Sequence, residues 1–579
     1  MILLCKNLKK GFFMNATTHA KIQSWLQDPF DEQTKKLVQK LIDSNPSELE
    51  DSFYTDLSFG TGGLRGLMGV GTNRMNCYTI RKTTQGLANY LRKRHPNQQI
   101  SVVIGFDCRL HSEEFAKEAS FVLQQNGINV FFLPKLRPTP FISFACRHCQ
   151  AQAAIMITAS HNPKEYNGYK VYGADGAQVV PPDDIGILEE IHRLQDFSIQ
   201  KAQKQGQLHV MGEELDLAYL KALEPLQKAL CIQNKDKSSL RIVYTSLHGT
   251  GITLVPRALR NFGFSQISLV DEQSIPDGTF PTVALPNPEY KETLQLGLEL
   301  LQKTSSDLLL ATDPDADRLA IAIPGHLFTG NETAALCVAY LCDTLSHNNT
   351  MPKDPAVLTT IVSTDLLEAI CEDYRVLCIK FLTGFKYIGE QIHLWEKQPK
   401  SPSFLFGAEE SYGYLYGTHA RDKDAVILSC LIAEMALHYK NQKKTLLDGL
   451  HELYQRYGIF KEKTTSLEFP PGKEGSDRMQ EIMKSLREHP FKMLGSISVV
   501  LVEDFLDTQK TKLPKSNVLS FHLQDKSKII IRPSGTEPKI KIYGGVHLKT
   551  FKNLTDGIQK ADQMLDGLLE IALDALREL

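Results

Sequence analysis

The sequence predicts an α/β protein that consists of three successive α/β units and a fourth unit of the α+β class. Short apolar runs alternate with helical patterns from about residue 101 to residue 441, which is typical of parallel sheets covered by helices. From about Thr465, strand-like segments follow one another with few helices between them, which favours an antiparallel sheet. The length of 579 residues also exceeds what one hydrophobic core supports, so several domains are expected.

The composition is that of a globular protein without a strong charge of either sign. Apolar residues make up 42% and charged residues 23% of the chain, and the formal net charge is -2. No overall field therefore attracts nucleic acid or an anionic membrane, and neither is an expected partner. No apolar run reaches the roughly 18 residues that a membrane span requires. Any anion site must therefore be local.

Eleven cysteines are scattered without a dense framework, which predicts a reducing compartment and a cytoplasmic location. Cys146 and Cys149 form one C-x-x-C pair in a predicted helix. A single pair is weak support for a zinc site, so we interpret both as packing residues, with zinc as the alternative. The apolar N-terminus is interrupted by lysines and is too short for a signal peptide. Met14 is an alternative start, which would make residues 1–13 an upstream extension.

The first unit begins with a helical pattern from about Thr18 to Glu50, followed by a glycine-rich stretch at residues 59–66. Four glycines in seven residues let the backbone bend closely around a ligand, and Arg65 stands among them. Exposed backbone amides and a guanidinium suit a phosphate. The alternative is a flexible loop with a solvated arginine.

A strand at 101–106, a helix at 113–126, a strand at 128–133 and a helix at 140–149 precede the most informative stretch of the chain. There the apolar strand Ala153–Ile157 leads directly into T-A-S-H-N-P at residues 158–163. A hydroxyl at the carboxyl end of a buried strand is how an α/β protein presents a nucleophile, which makes Ser160 a candidate. An ordinary turn is the alternative, because Ser, Asn and Pro are common turn residues.

A lysine soon after this loop adds a cation near the candidate nucleophile. Lys170 lies in the strand-like stretch N-G-Y-K-V-Y at residues 167–172. We interpret it as a residue that steers phosphate, with a surface lysine as the alternative.

The second unit predicts strands at 240–245, 266–270 and 307–311, and the last of these ends at Asp313-Pro314-Asp315-Ala316-Asp317-Arg318. Three carboxylates at alternate positions can converge on one hard cation, which would relieve their mutual repulsion. A calcium loop is excluded, because it needs Gly at its sixth position and Glu at its twelfth, where this chain has Arg318 and Pro324. Mg²⁺ with a phosphate oxygen in its shell fits better. An acidic turn is the alternative.

The third unit predicts strands at 356–362, 376–381 and 404–408, and a long helix at 422–441. The strand at 376–381 ends at L-T-G-F-K, which contains Lys386. The strand at 404–408 ends at Glu409-Glu410-Ser411-Tyr412-Gly413. Carboxylate and hydroxyl groups at a strand end can bind vicinal sugar hydroxyls, which both donate and accept hydrogen bonds. The alternative is a surface turn with two glutamates.

The last unit predicts strands at 496–502, 518–522, 528–531 and 540–544 and a closing helix from about Lys549 to Leu576. It contains R-P-S-G-T-E-P at residues 532–538. An arginine, two hydroxyls and a flexible glycine in one tight loop suit a phosphate. A β-turn without a ligand is the alternative.

Four motifs stand in a fixed order: T-A-S-H-N-P at 158–163, the aspartate loop at 313–317, Glu409-Glu410-Ser411, and R-P-S-G-T at 532–536. In these motifs the chain resembles the α-D-phosphohexomutase superfamily of phosphoglucomutases and phosphomannomutases, from about residue 59 to residue 544. The resemblance implies a heart-shaped arrangement of four domains. The expected domains are 14–208 with the phosphoserine loop, 209–328 with the metal loop, 329–462 with the sugar-binding loop, and 463–579 with the phosphate-binding loop.

The resemblance also implies roles for individual residues. Ser160 would be the phosphoserine, with Arg65 and His161 beside it and Lys386 as the proton-transfer residue. Mg²⁺ would be held by the Ser160 phosphate together with Asp313, Asp315 and Asp317. The expected substrate-binding residues are Lys170, Arg318, Glu409, Ser411, Arg532, Ser534, Gly535 and Thr536.

The function implied is an intramolecular phosphotransferase that interconverts glucose 1-phosphate and glucose 6-phosphate through a sugar bisphosphate. Sugar phosphates and an activating sugar bisphosphate are then the expected small-molecule partners. The loop Gly407–Gly413 departs from the commoner G-E-x-S-G and is similar to a longer branch that includes phosphopentomutase-like members. Mannose and pentose phosphates are therefore alternative substrates. A metal-assisted phosphatase and a catalytically silent sugar-phosphate-binding protein are alternatives of other classes.

Overall fold

The computed structural model describes residues 14–57, 63–230, 236–470, 473–534 and 539–579. The expected upstream extension at 1–13 lies outside the described residues, as do the first glycines of the glycine-rich stretch and Gly535 and Thr536 of the phosphate-binding loop. None of the helices in the described ranges combines the length and the apolar character that crossing a membrane would require.

The N-terminal helical prediction is confirmed as three short helices, α1 (Ala16–Trp25), α2 (Glu32–Ser44) and α3 (Pro46–Phe53). Each begins at an Asn or Asp whose side chain accepts a hydrogen bond from a backbone amide of the first turn. The helices pack around Trp25, which stacks on Phe30 with ring centroids 4.4 Å apart. They form a small core of their own beside the first sheet.

The first sheet has six strands in the order β1-β5-β4-β2-β3-β6. Strands β2, β3, β4 and β6 run parallel, and β1 and β5 join antiparallel at one side. The strands are β1 (Gly63–Leu67), β2 (Ser101–Phe106), β3 (Asn129–Phe132), β4 (Ala153–Ile157), β5 (Tyr166–Gly173) and β6 (Leu208–Val210). The helices are α4 (Cys77–Arg94), α5 (Ser112–Gln125), α6 (Thr139–His148), α7 (Asp183–Arg193) and α8 (Glu213–Leu230). The expected boundary at 208/209 falls within β6.

The second sheet has five strands in the order β11-β10-β9-β7-β8. Strands β7, β8 and β9 are parallel, and β9, β10 and β11 are antiparallel neighbours. The strands are β7 (Ile242–Thr245), β8 (Ile267–Leu269), β9 (Leu308–Thr312), β10 (Leu319–Ile323) and β11 (His326–Leu327). The α-helices of this unit are α9 (Val255–Asn261) and α10 (Gln295–Lys303). The aspartate loop is the turn between β9 and β10.

The third sheet has four strands in the order β13-β12-β14-β15, of which only β15 is antiparallel to its neighbour. The strands are β12 (Pro355–Thr360), β13 (Leu377–Phe381), β14 (Ser403–Glu409) and β15 (Gly413–Tyr416). The helices are α11 (Gly330–His347), α12 (Leu366–Tyr374), α13 (Phe385–Glu396), α14 (Ala425–Asn441) and α15 (Leu446–Tyr457).

The fourth sheet is antiparallel throughout, with six strands in the order β16-β21-β20-β19-β18-β17. The strands are β16 (Ile459–Glu468), β17 (Met493–Leu494), β18 (Ile497–Asp504), β19 (Leu519–Leu523), β20 (Lys528–Pro533) and β21 (Lys539–Leu548). The helices are α16 (Lys473–Glu488), α17 (Thr508–Thr511) and α18 (Leu554–Glu578). The predicted fold class is confirmed: three α/β sheets precede an α+β unit, and buried apolar residues from all four form one continuous cluster.

Candidate active site

Ser160 lies three residues beyond the end of β4, buried and with its backbone in the left-handed region at φ 53°. Its amide donates to Thr158 Oγ1 over 2.8 Å, which stabilises this sharp turn. A left-handed backbone is uncommon for a residue other than glycine and is frequent at functional sites. The turn directs Oγ away from the first sheet, toward the second unit.

The hydroxyl of Ser160 reaches the aspartate loop of that unit. Its Oγ donates to Asp313 Oδ2 over 2.7 Å, and the His161 Nδ1 lies 3.2 Å from the same oxygen of Ser160. Two motifs that are 153 residues apart in sequence therefore form one site.

The three aspartates converge as the sequence predicted. Each offers a carboxylate oxygen, and these oxygens lie within 4.8 Å of one another, all in buried residues. In the described ranges, no other group of His, Cys, Asp and Glu side chains converges in this way. Asp315 Oδ1 and Asp317 Oδ1 are buried without a hydrogen-bond partner, so these acceptors fit a bound cation. The cluster can therefore hold a metal ion.

The electrostatics of the cluster show why a cation is favourable. Burial, followed by the charges of Asp315 and Asp317, raises the pKa of Asp313 well above its usual range. Burial would also raise the pKa of Asp315, but Lys170 and hydrogen bonds more than offset it and hold that pKa well below the usual range. Lys170 Nζ donates to Asp315 Oδ2 over 2.8 Å and to Asp317 Oδ2 over 3.2 Å. Lys170 is thus a buried partner of the acidic loop, and the interpretation as a surface lysine was wrong.

The predicted sugar-binding loop follows β14. Glu409 Oε1 accepts a hydrogen bond from the Gly384 amide over 2.9 Å, and burial raises the pKa of Glu409. Glu410 instead accepts from Thr360 Oγ1 over 3.2 Å, and burial raises its pKa to about 7. Ser411 lines the same cleft as Glu409. Carboxylate and hydroxyl therefore face one cavity from one loop.

The metal loop and the sugar-binding loop are joined through their backbones. Arg318 and Gly413 form an isolated antiparallel β-bridge, and the Leu319 amide donates to the Tyr412 carbonyl over 3.0 Å. The Arg318 side chain also donates to Glu289. The distance between the cation cluster and the sugar-binding groups is consequently set by main-chain contacts.

Three of the predicted cations lie apart from one another around this cleft. Arg65 Nη1 donates to Asn162 Oδ1 over 3.2 Å, beside the Ser160 loop. Lys386, at the start of α13, places Nζ 3.6 Å from Asp184 Oδ2 of the first unit. Both line the cleft, as does Arg532 of β20.

The fourth unit contributes a positive edge to the cleft. Arg532 is paired across strands with Lys541, and the Ser534 amide donates to the Lys539 carbonyl over 2.8 Å. Burial, followed by the charges of Arg532 and Lys539, lowers the pKa of Lys541. An anion at this edge would relieve the crowding of positive charge.

All four units meet at one cleft with a volume of about 590 Å³, which is large enough for a sugar phosphate. It brings together Arg65, Ser160, His161, Lys170, Asp317, Arg318, Lys386, Glu409, Ser411 and Arg532. Asp313 is connected to the cleft through the hydrogen bond that it accepts from Ser160, and Asp315 through the hydrogen bond that it accepts from Lys170.

Sequence reasoning missed several groups that contact these residues, among them Lys423 and Thr139. Lys423 Nζ lies 3.3 Å from Asp317 Oδ2 and 4.0 Å from Glu409 Oε2, between the metal loop and the sugar-binding loop. Thr139 Oγ1, at the start of α6, donates to Asp315 Oδ2 over 2.7 Å. A feature of the sequence could have pointed to Lys423, because it stands between Asp422 and Asp424 just before a helix. No such feature points to Thr139.

The C-x-x-C pair is not part of any metal cluster found among the described residues. Cys146 is a buried free thiol whose Sγ contacts the carbonyl oxygens of Ala151 and Gly173 at 3.7 and 3.3 Å. Cys149 is a half-buried free thiol at the end of α6. Both behave as packing residues.

Comparison with known proteins identifies three family domains in the chain. Phosphoglucomutase/phosphomannomutase α/β/α domain I matches residues 56–197, domain II matches 218–325, and domain III matches 329–457. These three ranges contain the Ser160 loop, the aspartate loop and the Glu409 loop respectively.

Two solved structures share the fold. A structure from Thermus thermophilus has a TM-score of 0.67 at 22% identity and covers 90% of this chain and 99% of that one. The open form of parafusin, a phosphoglucomutase from Paramecium, has a TM-score of 0.65 at 18% identity and covers 90% and 96%.

Curated relatives extend the similarity in sequence over nearly the whole chain. Phosphoglucomutase of Staphylococcus haemolyticus is 35% identical over 543 residues, which cover 90% of this chain and 96% of the relative. Phosphoglucomutase of Staphylococcus epidermidis is 36% identical over 563 residues, which cover 93% and 99%. With three family domains in order, this chain belongs to the phosphoglucomutase/phosphomannomutase family.

Proposed function

We propose that this chain interconverts glucose 1-phosphate and glucose 6-phosphate, with a phosphoryl group carried on Ser160 and a bisphosphorylated sugar as intermediate. Membership in the family makes the chain a phosphohexomutase-type isomerase, and its curated relatives are phosphoglucomutases. The single observation that carries the proposal is the Ser160 hydroxyl donating to Asp313 within a cleft shared by all four units. A bisphosphorylated intermediate needs groups that bind two phosphates and groups that bind one sugar. The cleft contains cations suited to the phosphates, and a carboxylate and a hydroxyl suited to the sugar.

In this proposal Asp313, Asp315, Asp317 and the phosphorylated Ser160 hold Mg²⁺, which supplies positive charge next to the transferred group. Two buried carboxylate oxygens without partners support an oxygen-preferring cation. Arg65 and His161 lie beside Ser160 and would contact its phosphate. Phosphoryl transfer depends on positioning and charge neutralisation, which these groups provide.

The sugar is held at the other side of the cleft. Glu409 and Ser411 bind its hydroxyls, while Arg532, Ser534, Gly535 and Thr536 bind the phosphate that is not being transferred. Lys386 accepts the proton of the attacking hydroxyl in the proposed mechanism. After the first transfer, the bisphosphate turns over, so that its other phosphate faces Ser160. Lys170 holds the acidic loop, and Arg318 connects that loop to the sugar-binding loop during both transfers.

The proposal also includes the activator of the enzyme and its cellular location. A sugar bisphosphate primes Ser160, and the cytoplasm is the location in which the free thiols of the described residues remain reduced. We propose domain limits near 14–208, 209–328, 329–462 and 463–579, of which the limits at 208/209 and 462/463 fall within β6 and β16.

Replacement of the nucleophile tests the proposal directly. Ser160→Ala is expected to abolish isomerisation, because no other hydroxyl donates to Asp313 in the described residues. Intact-mass spectrometry should show one phosphate on the wild type and none on the variant. Ser246→Ala is the matched control, since Ser246 is also a buried serine just after a strand, but its Oγ donates to the Gln273 carbonyl. Normal turnover of Ser160→Ala would contradict the proposed mechanism.

A coupled assay settles the sugar. Glucose, mannose and ribose 1-phosphates are compared at equal concentration, and free phosphate is measured in parallel. Glucose 1-phosphate is expected to give the largest kcat/KM. Release of free phosphate in place of isomerised sugar would identify a phosphatase, and the absence of any product would identify a binding protein.

A further inference from the structure

Arg109 lies under the Ser160 loop, outside the proposed cleft. It follows β2, and its side chain is fully buried. Nη1 donates to the carbonyls of Pro163 and Tyr166 over 2.9 and 3.1 Å. Nη2 donates to the carbonyls of Ser160 and Asn162. One guanidinium therefore gathers four carbonyl oxygens of a single seven-residue segment.

The first unit holds this guanidinium in place. Asp107 Oδ2 lies 3.5 Å from Arg109 Nε, and Asp107 Oδ1 accepts from the Arg109 amide over 2.9 Å and from Ser112 Oγ over 2.8 Å. Asp107 is itself in register with β4, because its amide donates to the Ile157 carbonyl. The cation is thus fixed to β2 and, through Asp107, to β4, the strand that leads into the loop.

The second unit covers the guanidinium. The Phe280 ring lies over Arg109 at 5.2 Å from the guanidinium carbon to the ring centroid, and Phe280 is buried. The loop that carries it passes so close that a Cβ on Gly278 would lie 2.5 Å from the Leu110 amide nitrogen. Hydrogen bonds shielded from water in this way are stronger, and leaving the four carbonyls unpaired would be correspondingly costly.

The loop depends on these bonds because it has few of its own. Between Ala159 and Tyr166, the backbone hydrogen bonds within the segment run from the Asn162 amide to the Ala159 carbonyl and from the Tyr166 amide to the Pro163 carbonyl, and the Met68 amide donates to the Glu165 carbonyl from outside. Ser160 is also held in the left-handed region, which a serine does not prefer. We propose that Arg109 is a positioning residue: its four hydrogen bonds fix the backbone of the loop so that Ser160 Oγ points at the aspartate loop. As a statement about catalysis, this inference rests on the proposed function.

Arg109→Lys tests the inference, because a lysine keeps the charge but cannot bridge four carbonyls. Misplacement of a nucleophile by about 1 Å costs on the order of 100-fold in rate, so kcat is expected to fall by about that factor. KM for the sugar phosphate should stay within about twofold, because Glu409, Ser411 and Arg532 are untouched. Phe280→Leu is a milder second variant that removes the cover, with an expected fall in kcat of about tenfold.

Arg74→Lys is the matched control. Arg74 is also a buried arginine of the first unit whose guanidinium donates to backbone carbonyls, those of Asp51 and Asn73. Its variant should lose thermal stability to a similar extent but keep kcat. If Arg109→Lys keeps kcat within twofold of Arg74→Lys, or loses activity only through KM, Arg109 has no positioning role.

Hydrogen–deuterium exchange separates this inference from the proposed function. Amides of residues 158–166 should exchange faster in Arg109→Lys than in the wild type, and their exchange rates should be unchanged in Arg74→Lys. Both results are expected whether or not the wild type isomerises sugar phosphates. Equal exchange in all three proteins would overturn the inference. An inactive wild type with the expected exchange pattern would overturn the proposed function alone.

Discussion

Lys423 connects the metal loop with the sugar-binding loop through its charge. Its ammonium group lies 3.3 Å from Asp317 Oδ2, 3.1 Å from Asp422 Oδ1 and 4.0 Å from Glu409 Oε2. Burial would lower the pKa of Lys423, but Asp317, Asp422 and Glu409 together raise it above its usual range. Lys423 therefore stays protonated at neutral pH and acts as a fixed cation, not as a base.

Removal of this charge should change the pH dependence of the reaction. Burial raises the pKa of Glu409, and the charge of Lys423 opposes that rise. In Lys423→Met the pKa of Glu409 should rise further, so the acid limb of the kcat/KM profile should move to higher pH. Lys423→Arg should keep the limb in place.

Lys237→Met is the control for this experiment, because Lys237 is also paired with a buried carboxylate, Glu434, but does not line the cleft. A profile for Lys423→Met that coincides with that of Lys237→Met would show that Lys423 does not tune Glu409.

The residues of the candidate site differ in how far sequence predicts them. Ser160 and the three aspartates follow buried strands, so their positions at strand ends were predictable from pattern alone. Lys423 reaches the site from the segment before α14, after β15 has turned back. Its proximity to Asp317 depends on packing between two units, which a single sequence does not encode locally.

The strand β16 carries the chain from the third sheet into the fourth, and Glu462 lies on it near the crossing. Glu462 lines a small cavity together with Glu410, Tyr412 and Tyr543. Burial raises the pKa of Glu462 to about 7, although Thr364 and Lys528 act to lower it. A carboxyl group at the junction of two units thus keeps its proton up to a pH of about 7.

This carboxyl group should make stability depend on pH. The unfolded chain releases the Glu462 proton near the ordinary pKa of 4.5, and the folded chain keeps it up to about 7. Folding therefore binds a proton within this window, and the free energy of unfolding should fall as pH rises through it, by about 1–3 kcal/mol. Glu462→Gln should flatten that part of the curve.

Urea unfolding at several pH values measures this effect. Asp566→Asn serves as the control, because Asp566 is an exposed carboxylate paired with Lys463 of the same strand as Glu462. Between pH 4.5 and 7, the slope of the free energy of unfolding against pH should be smaller in Glu462→Gln than in the wild type. Equal slopes would contradict the raised pKa of Glu462.

At the scale of elements, the parallel strands other than β6 were predicted closely, whereas β6 and several antiparallel neighbours had no prediction. Strand β10 is apolar and buried throughout, so it has no alternation to reveal it, and only six residues separate it from β9. Strand β15 is four residues long and fully buried, so it gives no periodic signal either. The helix α11 is buried along nearly its whole length, which removes the polar face that marks a helix in sequence.

In the whole molecule, the fourth unit forms one side of the cleft. Side-chain contacts, in addition to the chain connection, join it to the third unit. Lys528 of β20 is buried, and its Nζ donates to the Ser363 carbonyl over 3.0 Å and to Asp365 Oδ1 over 2.8 Å. Burial would raise the pKa of Asp365, but Lys528 and Lys380 hold it well below its usual range. This contact spans two sheets beside a cavity of about 660 Å³.

Loss of this tie should weaken substrate binding and leave the chemistry largely intact. Arg532 lies on the same strand as Lys528 and lines the cleft, so in the proposed mechanism the orientation of β20 would set the position of the phosphate that is not being transferred. In Lys528→Met a smaller fraction of molecules should hold Arg532 in place, and KM should rise in inverse proportion to that fraction, about threefold to tenfold. Turnover at saturating substrate should change less than KM, because the Ser160 and aspartate loops are untouched.

Lys463→Met is the matched control for this variant. Lys463 forms an exposed ion pair with Asp566 of α18, so both partners belong to the fourth unit and the variant loosens no contact between units. Small-angle scattering should show a larger radius of gyration for Lys528→Met than for Lys463→Met without substrate, and the difference should shrink when sugar phosphate is added. Equal KM values in the two variants would mean that the backbone crossing at β16, and not Lys528, sets the position of the fourth unit.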